Sequence, residues 1–229
     1  MGKFKGKSND IQPFSHLAPL PGIQYQSSKD FIYFESTQVA FDQLLEALKD
    51  DCISIIGVYG EGGCGKTTLV TEVGKKAEDQ KMFDKVISIT VSQTPDIRGI
   101  QGEIADMLKL KLEEESERGR AQRLWMSLKE KKRILMIVDD LWSQFHLMDI
   151  GIHLDHVNGR KWKILEVTRN EHICTLMDCQ EMIHLGHLSG DESWTLFRKL
   201  AKIDDKFCEL LDGVPQKICD ECKGVLIAI

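Results

Sequence analysis

Several things are missing from this sequence of 229 residues. No apolar run approaches the roughly 20 residues that a membrane-spanning helix needs. No secretory signal is evident, because the basic stretch Met1–Lys7 is not followed by a hydrophobic segment. A myristoylation reading of "MGKFKG" fails at the sixth position, where Gly6 stands in place of Ser or Thr. Basic excess is absent as well: the formal net charge is −6, which argues against a general nucleic-acid binder. There is no internal repeat. The seven cysteines are an odd number scattered along the chain, which suits reduced cytosolic thiols better than a disulfide framework. Cys219-x-x-Cys222, with Cys174, Cys179 and His172, His184 and His187 upstream, lacks regular zinc spacing, so plain thiols are the better reading. Free thiols and missing targeting signals together place the chain in the cytoplasm.

Proline is sparse too. Three of the five prolines, Pro13, Pro19 and Pro21, fall in residues 1–30, which lack periodicity and read as a flexible linker. Beyond them the pattern alternates. Apolar positions from Ser36 to Lys49 fall at helical spacing. Short β-branched runs follow at 52–59, 85–91, 133–140, 161–168 and 181–186. Helical stretches lie at 65–78, 96–110, around Leu124–Leu128 and at 189–201. Continuously apolar strands separated by helices predict an α/β fold, a parallel sheet covered on both faces. Residues 206–229 read as helical and end in apolar "GVLIAI", as expected of a chain cut inside a larger architecture.

Glycine, by contrast, is concentrated: "GVYGEGGCGKTTLV" (57–70) contains five. Gly60 to Thr67 fits G-x-x-x-x-G-K-[ST] in full, after an apolar strand and before a helix. That context favours nucleotide binding over a chance glycine-rich turn. Without Cβ atoms at Gly60, Gly62, Gly63 and Gly65, the backbone N–H groups, that of Cys64 included, can converge on phosphate oxygens. The helix start near Gly65 adds positive potential. Lys66 is placed to reach the β- and γ-phosphates, Thr67 to ligate Mg²⁺ and Thr68 to meet the α-phosphate. A phosphate-bound metal needs a carboxylate at a buried strand end, and "RILMIVDDLW" supplies Asp139. Asp140 is next, suited to orienting or deprotonating an attacking water. The competing reading makes the two acids helix caps. Arg169, ending the fourth strand, can touch a γ-phosphate.

On these blocks the chain resembles the nucleotide-binding (NB-ARC) region of plant disease-resistance proteins of the coiled-coil NBS-LRR class. "FDKVISITVSQTPDIRGIQGEIADML" (83–108), "KILEVTRNEHIC" (163–174), "IHLGHLSGDESWTLFRKLA" (183–201) and "CKGVLIAI" (222–229) resemble further family blocks, in order. "PFSHLAPLPGIQYQ" (13–26) is similar to the linker that follows the family's coiled coil. The resemblance implies a three-layer P-loop NTPase fold with strand order 5-1-4-3-2, spanning residues 31–204. A truncated start of the helical ARC subdomain would then occupy 205–229. It further implies an ADP/ATP-binding switch in immune signalling, with Mg²⁺ and slow hydrolysis. Its partners would be other protein domains: the coiled-coil, ARC and leucine-rich-repeat regions, or related resistance proteins.

Departures from the family pattern motivate a second expectation, an interaction module that no longer cycles nucleotide. Glu61 and Cys64 replace small apolar loop residues, and Glu61 would weaken phosphate binding if it faced inward. Thr37 stands where an arginine is usual, and Leu226 where a proline is. Glu166 interrupts a strand that should be buried, which is costly unless its carboxylate finds a partner. A small-molecule kinase is disfavoured, since neither an acceptor pocket nor a mobile lid is recognisable.

Overall fold

A computed structural model describes residues 34–131, 133–154, 161–204, 211 and 213–229. The linker expected at 1–30 lies outside the described residues. Helix α1 (Glu35–Lys49) leads into strand β1 (Ile55–Tyr59), α2 (Lys66–Asp79), β2 (Lys85–Thr90), α3 (Ile97–Leu108) and α4 (Glu117–Leu128). Then come β3 (Arg133–Leu141), a 3₁₀ turn (Leu147–Ile150), β4 (Lys161–Thr168), α5 (Glu171–Leu176), β5 (Glu181–His184), α6 (Gly190–Ala201) and α7 (Val214–Glu221). A second 3₁₀ turn, Leu226–Ala228, follows.

The five strands form one parallel sheet in the order β2-β3-β4-β1-β5. Read from the other edge, this is the expected 5-1-4-3-2. Its three layers follow from the period of two along each strand. Leu135 and Ile137 point to the face covered by α1 and α2, where they meet Leu44, Leu69 and Val73. Ile134, Met136 and Val138 point to the opposite face and meet Ile104, Leu124 and Leu128 of α3 and α4. A strand apolar at every position therefore has no solvent face to offer.

Two differences from the sequence reading are local. Strand β1 starts at Ile55, because Asp51 and Cys52 are spent in a turn where Cys52 N donates to Asp50 Oδ1 at 2.8 Å. The short helix α5 was not expected. Asn170 caps it by accepting from His172 N at 3.0 Å.

Candidate functional site

The loops leaving β1, β3 and β4 lie at the carboxyl edge of three neighbouring strands, which is where open α/β sheets hold ligands. Residues 60–65 turn the chain from β1 into α2. Gly65, the N-cap, has φ 100°, a left-handed conformation that glycine adopts without strain. The first turn of α2 contains no acidic side chain and receives no side-chain cap. Its leading N–H groups therefore keep their positive end open to an anion.

Lys66 is nearly buried, and its Nζ donates to Gly60 O (2.7 Å) and Glu61 O (2.6 Å). An incoming phosphate would compete with these two carbonyls for the ammonium. Asp139 ends the buried part of β3, and its Oδ1 accepts from Asp140 N at 2.9 Å. Burial pushes its carboxyl pKa above the ordinary carboxylate value, and a hydrogen bond from Thr67 offsets part of that rise. Asp140 stands at a register shift between β3 and β4 with φ 57°, outside the straight ladder. Its carboxylate faces Arg169 Nη2 at 3.6 Å. The same guanidinium lies 4.6 Å over the Trp142 ring.

These elements enclose a cleft of about 360 Å³, lined by Gly62, Gly63, Gly65, Lys66, Thr67, Thr68, Asp139, Asp140 and Arg169. Two expected residues do not line it. Gly60 contributes its carbonyl to Lys66, and Cys64 turns its side chain into the core beside α1 and α2. The condition set on Glu61 is not met, because it faces outward. Its side chain is 78% exposed and pairs with His187 Nε2 at 3.1 Å, because the turn that curls the backbone inward at Lys66 points this side chain away. Glu166 does find a partner, the thiol of Cys179, which donates to its Oε2 at 3.5 Å.

Sequence reasoning missed two contributors. Trp142 was within reach of it, as the aromatic residue next to the paired acids. Ile227 was not: together with Leu226 it walls one side of the cleft, and its N donates to Gly63 O at 3.1 Å. Only folding brings residues 164 positions apart into that contact.

A family model described as the NB-ARC domain matches residues 37–206. A probable disease resistance protein of Arabidopsis thaliana is 38% identical over 202 residues, covering 84% of this chain and 24% of its own length. The disease resistance protein RPS5 of the same plant is 30% identical over 209 residues, covering 87% and 23%. The chain thus spans about a quarter of these curated relatives. Among solved structures, Cdc6p from Pyrobaculum aerophilum superposes with a TM-score of 0.62 at 16% identity, covering 86% of this chain and 57% of that one. The ORC1 protein of Aeropyrum pernix, solved in complex with DNA, gives 0.59 at 13%, covering 83% and 56%. At such identities the likeness is one of fold, that of the P-loop NTPases.

Proposed function

The chain belongs to the NB-ARC domain family, and from that premise we propose that it is an ADP/ATP-binding switch of plant immune signalling. In this reading it acts in the cytoplasm, hydrolyses ATP slowly and works through other domains of resistance proteins. The observation that supports it best is the convergence of Lys66, Thr67, Asp139 and the open start of α2 on one cleft.

In this reading the N–H groups of the 60–65 loop and the Lys66 ammonium bind the phosphates, and Thr68 meets the α-phosphate. Thr67 and Asp139 fit a Mg²⁺ ion: a hydroxyl and a carboxylate that line the same cleft offer two hard oxygen donors. A bound Mg²⁺ would neutralise charge on the phosphate oxygens. Asp140, partly exposed at the cleft, orients the attacking water and accepts its proton. Arg169 is held by Asp140 and Trp142, and it exchanges Asp140 for a γ-phosphate when one is present. The two nucleotide states would then differ in an ion pair at the end of β4.

The competing interaction-module reading rested partly on Glu61. With that side chain turned to His187, the charge lies off the phosphate path. The test is nucleotide content. The purified chain is denatured and the released nucleotide identified by chromatography, with Lys66→Ala in parallel. Near-stoichiometric ADP in the wild type and none in a folded K66A variant is the expected result. A folded wild type carrying no nucleotide, and taking up none on incubation, would overturn the switch in favour of the interaction module.

A further inference from the structure

On the sheet face opposite α2, two thiols and a carboxyl group crowd a single backbone position of β1. A Cβ placed on Gly57 would lie 2.6 Å from Cys174 Sγ and 3.0 Å from Cys179 Sγ. Both sulfurs thus converge on the same point, and only a hydrogen atom leaves them room. The main chain holds them there, since Cys179 N donates to Cys174 O at 3.0 Å across the turn that ends α5. Cys179 Sγ also donates to Oε2 of Glu166, the register partner of Gly57 on β4. Glu166 is 1% exposed, and its Oε1 has no hydrogen-bond partner among the described residues. Cys174 is fully buried and Cys179 partly exposed, so a reagent from solvent arrives at Cys179.

We propose that Cys174 and Cys179 form a redox-active dithiol that a hydroperoxide oxidises to a disulfide, with Glu166 as proton acceptor. Cys179 gives its proton to Glu166 Oε2, and its sulfur attacks the peroxide, breaking the O–O bond. The departing oxygen takes the proton from Glu166 and leaves as water or alcohol, and Cys179 becomes a sulfenic acid. The Cys174 sulfur then attacks the Cys179 sulfur. The S–S bond forms, the S–O bond breaks, and hydroxide leaves with the Cys174 proton as water. In sum, two thiols lose two electrons and two protons, and one hydroperoxide is reduced.

The local chemistry suits this division of labour. The closeness of the two sulfurs holds the Cys174 thiol below its ordinary pKa, favouring it as the second attacker, and Cys179 above. Cys179 therefore depends on a base. Burial raises Glu166 to about 8, so near neutral pH only its ionised fraction accepts the Cys179 proton, and the crosslink should form faster as pH rises toward that value. Gly57 and Glu166 lie three residues upstream of Gly60 and Arg169, so the pair sits under the floor of the cleft. In a reducing compartment such a disulfide is a transient, sensing one.

Both cysteines fall in one tryptic peptide, residues 170–198, which makes the test direct. The full chain is exposed to hydrogen peroxide, its remaining thiols are alkylated after unfolding, and the peptide is weighed. We expect a loss of two hydrogens and no alkylation at Cys174 or Cys179, reversed by dithiothreitol. This should precede oxidation of Cys52, although Cys52 is exposed. Glu166→Gln should slow the crosslink at least about a hundredfold, the low end of what a positioned base contributes. Oxidation at Cys52 while Cys174 and Cys179 remain alkylatable would overturn the dithiol, and the wild-type chain alone decides that point even if the variant fails to fold. An unchanged rate in a folded variant would overturn the role of Glu166.

Discussion

Glu166 shows what the burial of one charge-bearing residue does to the whole chain. Its carboxyl is 1% exposed on the central strand β4 and has a folded-state pKa of about 8, against an ordinary 4.5. Between those values the folded chain binds a proton that the unfolded chain has released. Stability therefore falls as pH rises through that window, by up to about 1.4 kcal/mol per pH unit for this one group. Urea midpoints at pH 5.5, 6.5 and 7.5 should decline accordingly, and Glu166→Gln should flatten the decline. Glu61 makes the opposite case, a charge in the loop that does little. Because it faces His187 rather than the cleft, Glu61→Gln should change ADP affinity by less than about fivefold, since an exposed pair is worth under about 1 kcal/mol. Isothermal titration would detect a larger effect, which would place the charge near the phosphates after all.

At the scale of elements, one carboxylate ties two helix starts together. Ser189 and Glu192 form a capping box on α6, with Glu192 N donating to Ser189 Oγ and Ser189 N donating to Glu192 Oε2. The same Glu192 accepts from Ser36 N at 3.1 Å and Ser36 Oγ at 3.0 Å, in the first turn of α1. Burial acts to raise its pKa, but the hydrogen bonds from Ser189 and Ser36 outweigh that and hold it below the ordinary value. Losing a cap costs about 1 kcal/mol, and this side chain serves two helices. Glu192→Ala should therefore lower stability by about 1–2 kcal/mol, read as a drop in Tm. Ser36→Ala, which removes only the hydroxyl contacts, should cost less. The cap on α6 is written locally, since Ser189-x-x-Glu192 is a short-range signal. Its second role joins residues 156 positions apart and has no local signature.

At the scale of the whole molecule, the cleft is closed on one side by the end of the chain. Leu226 and Ile227 line it, Leu226 belongs to the apolar cluster of Phe34, Leu188 and Leu196, and Leu188 N donates to Gly224 O at 2.9 Å. Deleting residues 225–229 removes that wall and the hydrogen bond to Gly63 O. Loss of roughly one leucine-sized contact, about 1–2 kcal/mol, corresponds to about a five- to thirtyfold change in an equilibrium, and such losses fall mainly on the dissociation rate. A fluorescent ADP analogue should leave the shortened chain faster by that order. An unchanged rate would mean that Leu226 and Ile227 only border the cleft.

The sequence by itself determined the alternation of strands and helices and the location of the phosphate loop. It also located the paired acids at 139–140 and the arginine at 169. Each is written in a short window, as a spacing of glycines, a β-branched run or a charge at a strand end. The strand order came from family resemblance, since nothing in a strand's own residues names its neighbours; in the fold it is realised by the parallel hydrogen-bonded registers. Only the tertiary structure decided which way Glu61 points, that Cys64 joins the core, and that Glu166 has Cys179 for a partner. It alone laid Ile227 on Gly63. These outcomes depend on side-chain direction and on contacts between distant segments, which are fixed when the two faces of the sheet are packed and not before.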